Sequence, residues 1–104
     1  MSKFKTKILR YCLDKNEKLK LERDINFEQI LLAIEQGDLI DDLTHPNAEK
    51  YPNQSIFVVL VKIKNYIYLV PYVETDEEIF LKTIIPSRKL NKIYNQGAKN
   101  DTTR

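Results

Sequence analysis

Apolar positions along the chain follow two different periods, and the change of period divides it into elements. Residues 8–13, Ile-Leu-Arg-Tyr-Cys-Leu, read as a short first strand. Asp14 then stands as an N-cap, with Glu17 three positions on to close a capping box, and predicts a charged helix over 15–22 that docks through Leu19 and Leu21. The next helix is clearer. Asn26 caps it, Gln29 takes the capping-box position, and Phe27, Ile30, Leu31 and Ile34 recur at helical spacing up to Gly37.

After Gly37 the period shortens. Residues 39–43 predict a brief edge strand, and 44–53, with Pro46 and Pro52, a loop. The near-continuous apolar run 56–63 predicts a strand buried on both faces. A turn at Lys64-Asn65 leads into a strand over 66–74, where Pro71 points to an edge, a bulge or an unpaired stretch. A further turn at Thr75-Asp76-Glu77 leads to a last strand over 78–85. Ser87 then caps a short helix with Leu90, Ile93 and Tyr94 on one face. The expected fold is α+β: a small antiparallel meander, two N-terminal helices packed on it, and a short C-terminal helix. Residues 1–96 form one domain, and 97–104, without an apolar anchor, are expected to be a disordered tail.

Composition narrows the class. With 42% hydrophobic and 31% charged residues in 104, the chain has ordinary globular proportions for one core. A net charge of +2 is too mild to imply nucleic-acid binding, so any basic surface must come from clustering. Cys12 is the single cysteine, which rules out an internal disulfide and fits a reducing, cytoplasmic setting. The longest apolar run, Ile56 to Val61, falls far short of the roughly 20 residues a membrane-spanning helix needs. The basic start is followed by too little apolar sequence for a signal peptide.

Strand alternation sorts the candidate chemistry. Tyr66, Tyr68, Val70 and Tyr72 share one face of their strand, and Ile67, Leu69, Pro71 and Val73 the other. Taking the second set as core leaves the tyrosines as a row for stacking on bases or an interface, with a plain solvated face as the alternative. In the last strand Phe80, Lys82 and Ile84 alternate with Ile79, Leu81, Thr83 and Ile85. Lys82 is a rim lysine, or, beside Arg88 and Lys89, a general base. Arg88, at the strand-to-helix corner, suits a phosphate, since its planar fork grips two oxygens; a structural salt bridge is its alternative. Lys89 and Lys62 are further candidate RNA-binding cations. His45 lies in a polar loop with no second histidine for a zinc site. The acidic groups at 38–42 and 76–78 lack metal-loop spacing, and two glycines leave no phosphate-cradling loop. No metal or cofactor is expected.

Asp14, Asn16, Leu19, Glu22, Arg23, Ile25, Phe27 and Glu28 together resemble the amino-terminal signature of BrnT-family toxins. The far end is similar too: a three-strand meander, an acidic turn, then Ile84-Ile85-Pro86-Ser87-Arg88-Lys89 and a closing Tyr94. The resemblance spans residues 8–94. It implies a RelE-like fold and the toxin of a type II toxin–antitoxin pair, an endoribonuclease that works without metal and is neutralised by a cognate antitoxin protein in a hetero-oligomer. By that similarity Arg88 holds the scissile phosphate, Arg23 or Lys82 helps position it, and Tyr94 contacts phosphate or donates a proton. The rival reading is a non-catalytic module that binds a protein through the tyrosine-rich face and the Pro71 edge strand.

Overall fold

The amino-terminal third folds into a two-helix layer held by one buried asparagine. The computed structural model describes residues 7–44, 47, 49, 50 and 52–96, so His45 and the 97–104 tail lie outside the described residues. Strand β1 (Ile8–Tyr11) passes through Cys12 into α1 (Leu13–Arg23). Asp14 is not the cap of α1: Cys12 takes that position without a side-chain bond, and Asp14 sits in the first turn. There its charge complements the positive helix end. The phase of α1 is set by burial of Asn16 and Leu19, three residues apart; Leu21, expected to dock beside Leu19, is 88% exposed.

Both ends of the Asn16 amide are used. Oδ1 accepts from the Phe27 N–H at 2.7 Å, and Nδ2 donates to Glu28 Oε1 at 3.0 Å. The Tyr11 hydroxyl donates to Glu28 Oε2 at 3.2 Å, so β1, α1 and the following helix meet at one node. The Asn16 bond is the largest cause holding the Glu28 carboxyl below its ordinary value of 4.5. A depressed folded value means that this node stabilises the protein above pH 4.5 and loses that contribution as pH falls through the folded value. Asn16→Ala also strands the buried Phe27 N–H, and is expected to cost about 1–3 kcal/mol at pH 7. Urea midpoints at pH 7 and pH 4 should differ less in the variant than in the wild type; an equal pH dependence would remove Asn16 as the cause.

Helix α2 (Phe27–Glu35) carries the expected capping box, with Asn26 Oδ1 accepting from the Gln29 N–H and Gln29 Oε1 from the Asn26 N–H. It buries Phe27, Ile30 and Ala33. Its end is a Schellman motif: Asp38 N bonds Ala33 O, Gly37 N bonds Ile34 O, and Gly37 adopts φ +86°, a left-handed value that favours glycine.

The remaining strands are β2 (Leu39–Thr44), β3 (Gln54–Val61), β4 (Tyr66–Glu74), β5 (Glu78–Leu81) and β6 (Ile85–Pro86). The sheet runs β1-β5-β4-β3-β2, with β6 also on β4. β2 to β5 form the expected antiparallel meander, but β1 pairs with β5 in parallel, so the sheet is mixed. β3 stops at Val61, two residues before the expected end, because the chain turns over Lys62–Asn65 and leaves Ile63 80% exposed. At the β2 edge the register shifts between Leu39 and Asp41, and Asp41 Oδ1 accepts from the Asp42 N–H at 2.8 Å.

The tyrosine row faces the helices, contrary to the expectation. Tyr68 opposes Val59 and Val70 opposes Phe57, and these residues join Leu19, Phe27 and Ile30 in one core. Tyr68 is 7% and Tyr72 1% exposed. Tyr72 stacks on Phe57 with ring centroids 3.9 Å apart, and its hydroxyl donates to Asp42 Oδ1 at 2.6 Å. A satisfied hydroxyl is what lets so polar a ring enter the core. Pro71 is not on an edge either, since β4 has partners on both sides.

Its tolerance follows from a bulge. Tyr72 faces Leu81 and Tyr68 faces Pro86, so four steps along β4 match five along its partner. β5 and β6 are thus one strand with a single extra residue. Lys82 N bonds Pro71 O at 2.8 Å and Ile85 pairs with Leu69, which leaves Thr83 and Ile84 together opposite Val70. A strand residue's N–H and C=O point the same way, so the N–H that Pro71 lacks would have faced this irregular stretch. The bulge also breaks the expected alternation: Ile84 is fully buried with Ile79 and Leu81 rather than sharing a face with Phe80 and Lys82.

Ser87 then caps a single turn, α3 (Arg88–Leu90), through Oγ and the Leu90 N–H, and the chain continues as a π-helical segment, Asn91–Gln96. Where β6 ends, Ser87 N donates to Ile67 O, and Asn91 Oδ1, 3% exposed as a residue, accepts the Ile67 N–H at 3.1 Å. Leu90 is half-buried, whereas Ile93 and Tyr94 are 57% and 44% exposed. Among the described residues, no helix is long and apolar enough to cross a membrane.

Candidate nucleic-acid interface

Three pieces of chain meet at one end of the sheet: the close of α1, the β3–β4 turn and the β6–α3 corner. The αL conformation of Asp24, φ 55°, turns the chain out of α1, and the Asp24 carboxylate meets Lys64 of the turn at 2.7 Å. Lys62 lies in the same turn, 3.5 Å from Asp38. Burial pushes the Tyr68 hydroxyl above its ordinary value while Lys64 draws it down.

The corner itself is rich in cations. From Ile79 to Asn100 there is no Asp or Glu, while Lys82, Arg88, Lys89 and Lys92 stand in the described part of that stretch. Elsewhere Lys7, Arg10, Lys20, Lys62 and Lys64 each have a carboxylate partner. Lys82, Arg88 and Lys89 are exposed and, among the described residues, none has one. A salt bridge therefore does not explain Arg88.

The sequence-expected residues are only partly brought together. Arg88 and Lys89 open α3 beside Ile67, and Tyr94 lies on the next stretch of helix. Lys82 sits at the level of Pro71, four residues along β4, or roughly 13 Å at strand spacing. It does not stand shoulder to shoulder with Arg88, so the neighbour that the general-base expectation needed is missing. Arg23 is engaged with protein: its Nη1 donates to Ile84 O at 2.6 Å. Tyr68 and Tyr72 are core residues and offer no ring to a base. That burial, with β4 in the middle of the sheet, also takes away both features on which the protein-binding alternative stood.

Sequence reasoning missed Asn91, named Asn16 only as part of the amino-terminal signature and not as a buried link, and offered a bulge at Pro71 without placing it at Thr83–Ile84. The two asparagines give a faint signal, as uncharged polar residues interrupting otherwise charged or apolar helical faces. Among the described residues no group of three His, Cys, Asp or Glu could hold a metal ion. No family model, curated protein or solved structure matches the chain.

Proposed function

We propose that the chain is the toxin of a type II toxin–antitoxin pair, a BrnT-like, RelE-like endoribonuclease that acts in the cytoplasm without a metal. The observation that carries this reading is the set of exposed cations Lys82, Arg88 and Lys89, without a carboxylate partner among the described residues, of which Arg88 and Lys89 stand on a backbone braced by the Ser87 cap and the Asn91 bond. Lone surface cations are common; two on one braced strand-to-helix corner, with a third further back along the same carboxylate-free stretch, suit a polyanion. Helices on one face of an α+β sheet are also in keeping with the RelE-like reading.

In this reading Arg88 grips the scissile phosphate through two N–H groups, and Lys89 and Lys82 hold its neighbours along the strand. The ribose 2′-hydroxyl gives up its proton to water as it attacks its own phosphorus, the P–O5′ bond breaks and O5′ takes up a proton, and the products are a 2′,3′-cyclic phosphate and a 5′-hydroxyl. Tyr94, exposed on the following stretch of helix, takes the part of phosphate contact or proton donor to the leaving oxygen in this reading. Orientation and cationic stabilisation of the phosphorane supply most of the rate. The cognate antitoxin covers this corner in a hetero-oligomer.

The test is incubation of the purified, folded chain with RNA, with and without ribosomes, in the presence of EDTA. Cleavage leaving cyclic-phosphate ends, undiminished by the chelator and weakened by salt, is the expected result. Intact RNA under both conditions would overturn the reading.

A further inference from the structure

The Thr83–Ile84 bulge lies between the two ends of the proposed site, and one side chain from another layer holds it. Lys82 precedes the bulge and Arg88 follows it. Because strand side chains alternate, removing the extra residue would slide everything after Ile84 by one position, roughly 3.3 Å, and onto the opposite face. The bulge therefore sets where Arg88 stands relative to Lys82.

Arg23 reaches this element from the last turn of α1, 61 residues away in sequence, and donates to the Ile84 carbonyl in a part-buried bond. Ile84 itself is fully buried, which seats the carbonyl's residue in the core. The extra residue of a bulge lacks a ladder partner, so a carbonyl there needs another donor. Guanidinium supplies one, with a charge-assisted bond. The Asp24–Lys64 pair steadies the end of the helix that carries it.

We propose that Arg23 is a positioning residue: it locks the Thr83–Ile84 bulge, and through it the spacing of Lys82 and Arg88, without touching RNA. The effect on rate rests on the ribonuclease reading; the lock does not. In Arg23→Ala, kcat is expected to fall on the order of 10- to 100-fold through misplacement of the site. KM and the salt dependence of affinity for a 2′-deoxy-blocked RNA should stay as in the wild type. Arg23→Lys, which keeps a donor of nearly the same reach, should recover most of the loss.

A direct phosphate contact would behave differently, since its removal flattens the log–log salt slope by about 0.7 for a single strand. That result, or unchanged turnover per folded molecule in Arg23→Ala, would overturn the proposal. Amide exchange reads the lock independently of RNA. The Lys82 and Ser87 N–H groups, bonded to Pro71 and Ile67, should exchange faster in Arg23→Ala while Phe57 and Val59 keep their protection. If the wild type cuts no RNA, the ribonuclease reading fails, and exchange alone decides the lock: unchanged protection at Lys82 and Ser87 refutes it.

Discussion

Arg88→Ala should lose about 100- to 1000-fold in RNA cleavage, the range seen when one charge-stabilising group is taken from a preorganised site. It should do so without loss of fold. The bonds that brace the corner run through the Ser87 hydroxyl and backbone and the Asn91 amide, and none uses the Arg88 side chain. An exposed side chain of that kind changes stability by no more than about 0.5 kcal/mol when truncated. Melting should therefore match the wild type, and induced expression should no longer arrest growth or fragment cellular RNA. Arg88→Lys keeps the charge but not the two-pronged grip, and should fall between the two. An Arg88→Ala protein that cuts at the wild-type rate would take Arg88 out of the site and leave Lys82 and Lys89 to carry it.

The second large effect is on stability. Tyr72→Ala removes a buried aromatic ring stacked on Phe57, and should cost about 3–5 kcal/mol. Against the roughly 5–15 kcal/mol that holds a domain of this size together, that is enough to leave little folded protein at 37 °C. Tyr72→Phe keeps the ring and loses only the bond to Asp42, for about 1–2 kcal/mol. Denaturant titration separates the two variants. RNA affinity per folded molecule should be unchanged in Tyr72→Phe. A Tyr72→Ala protein that folds normally yet binds RNA poorly would return the ring to the surface as a stacking platform.

Local signals carried most of the architecture. Asn26 and Gln29 announced the start of α2, Gly37 its end, and Ser87 the cap of α3, because each works through neighbours within four residues. What stayed hidden depends on distant partners. Ile56 and its neighbours on β3, like those on β4, are apolar on both faces, so alternation separates the faces without saying which one the helices take. Pro71 left edge, bulge and unpaired stretch open because the bulge that relieves its missing N–H lies about thirteen residues further on. Arg23 was given a place beside the phosphate by resemblance alone, and its bond to Ile84, in another layer, left no local trace. The cationic corner was legible because Arg88 and Lys89 directly follow a strand and a cap. Its separation from Lys82 was not, since that is set by β4.

The outer edge of β2 has a consequence for how the chain behaves in a crowded cell. An unprotected sheet edge is a template on which further copies can add strand by strand. Here the register break after Leu39 bends the template, and Asp41 occupies the Asp42 amide with its own carboxylate. Exposed acidic side chains then line that edge, so a second copy approaching it meets like charge. That margin of the molecule is thus a poor template for an added strand, and disfavours growth of the sheet from copy to copy.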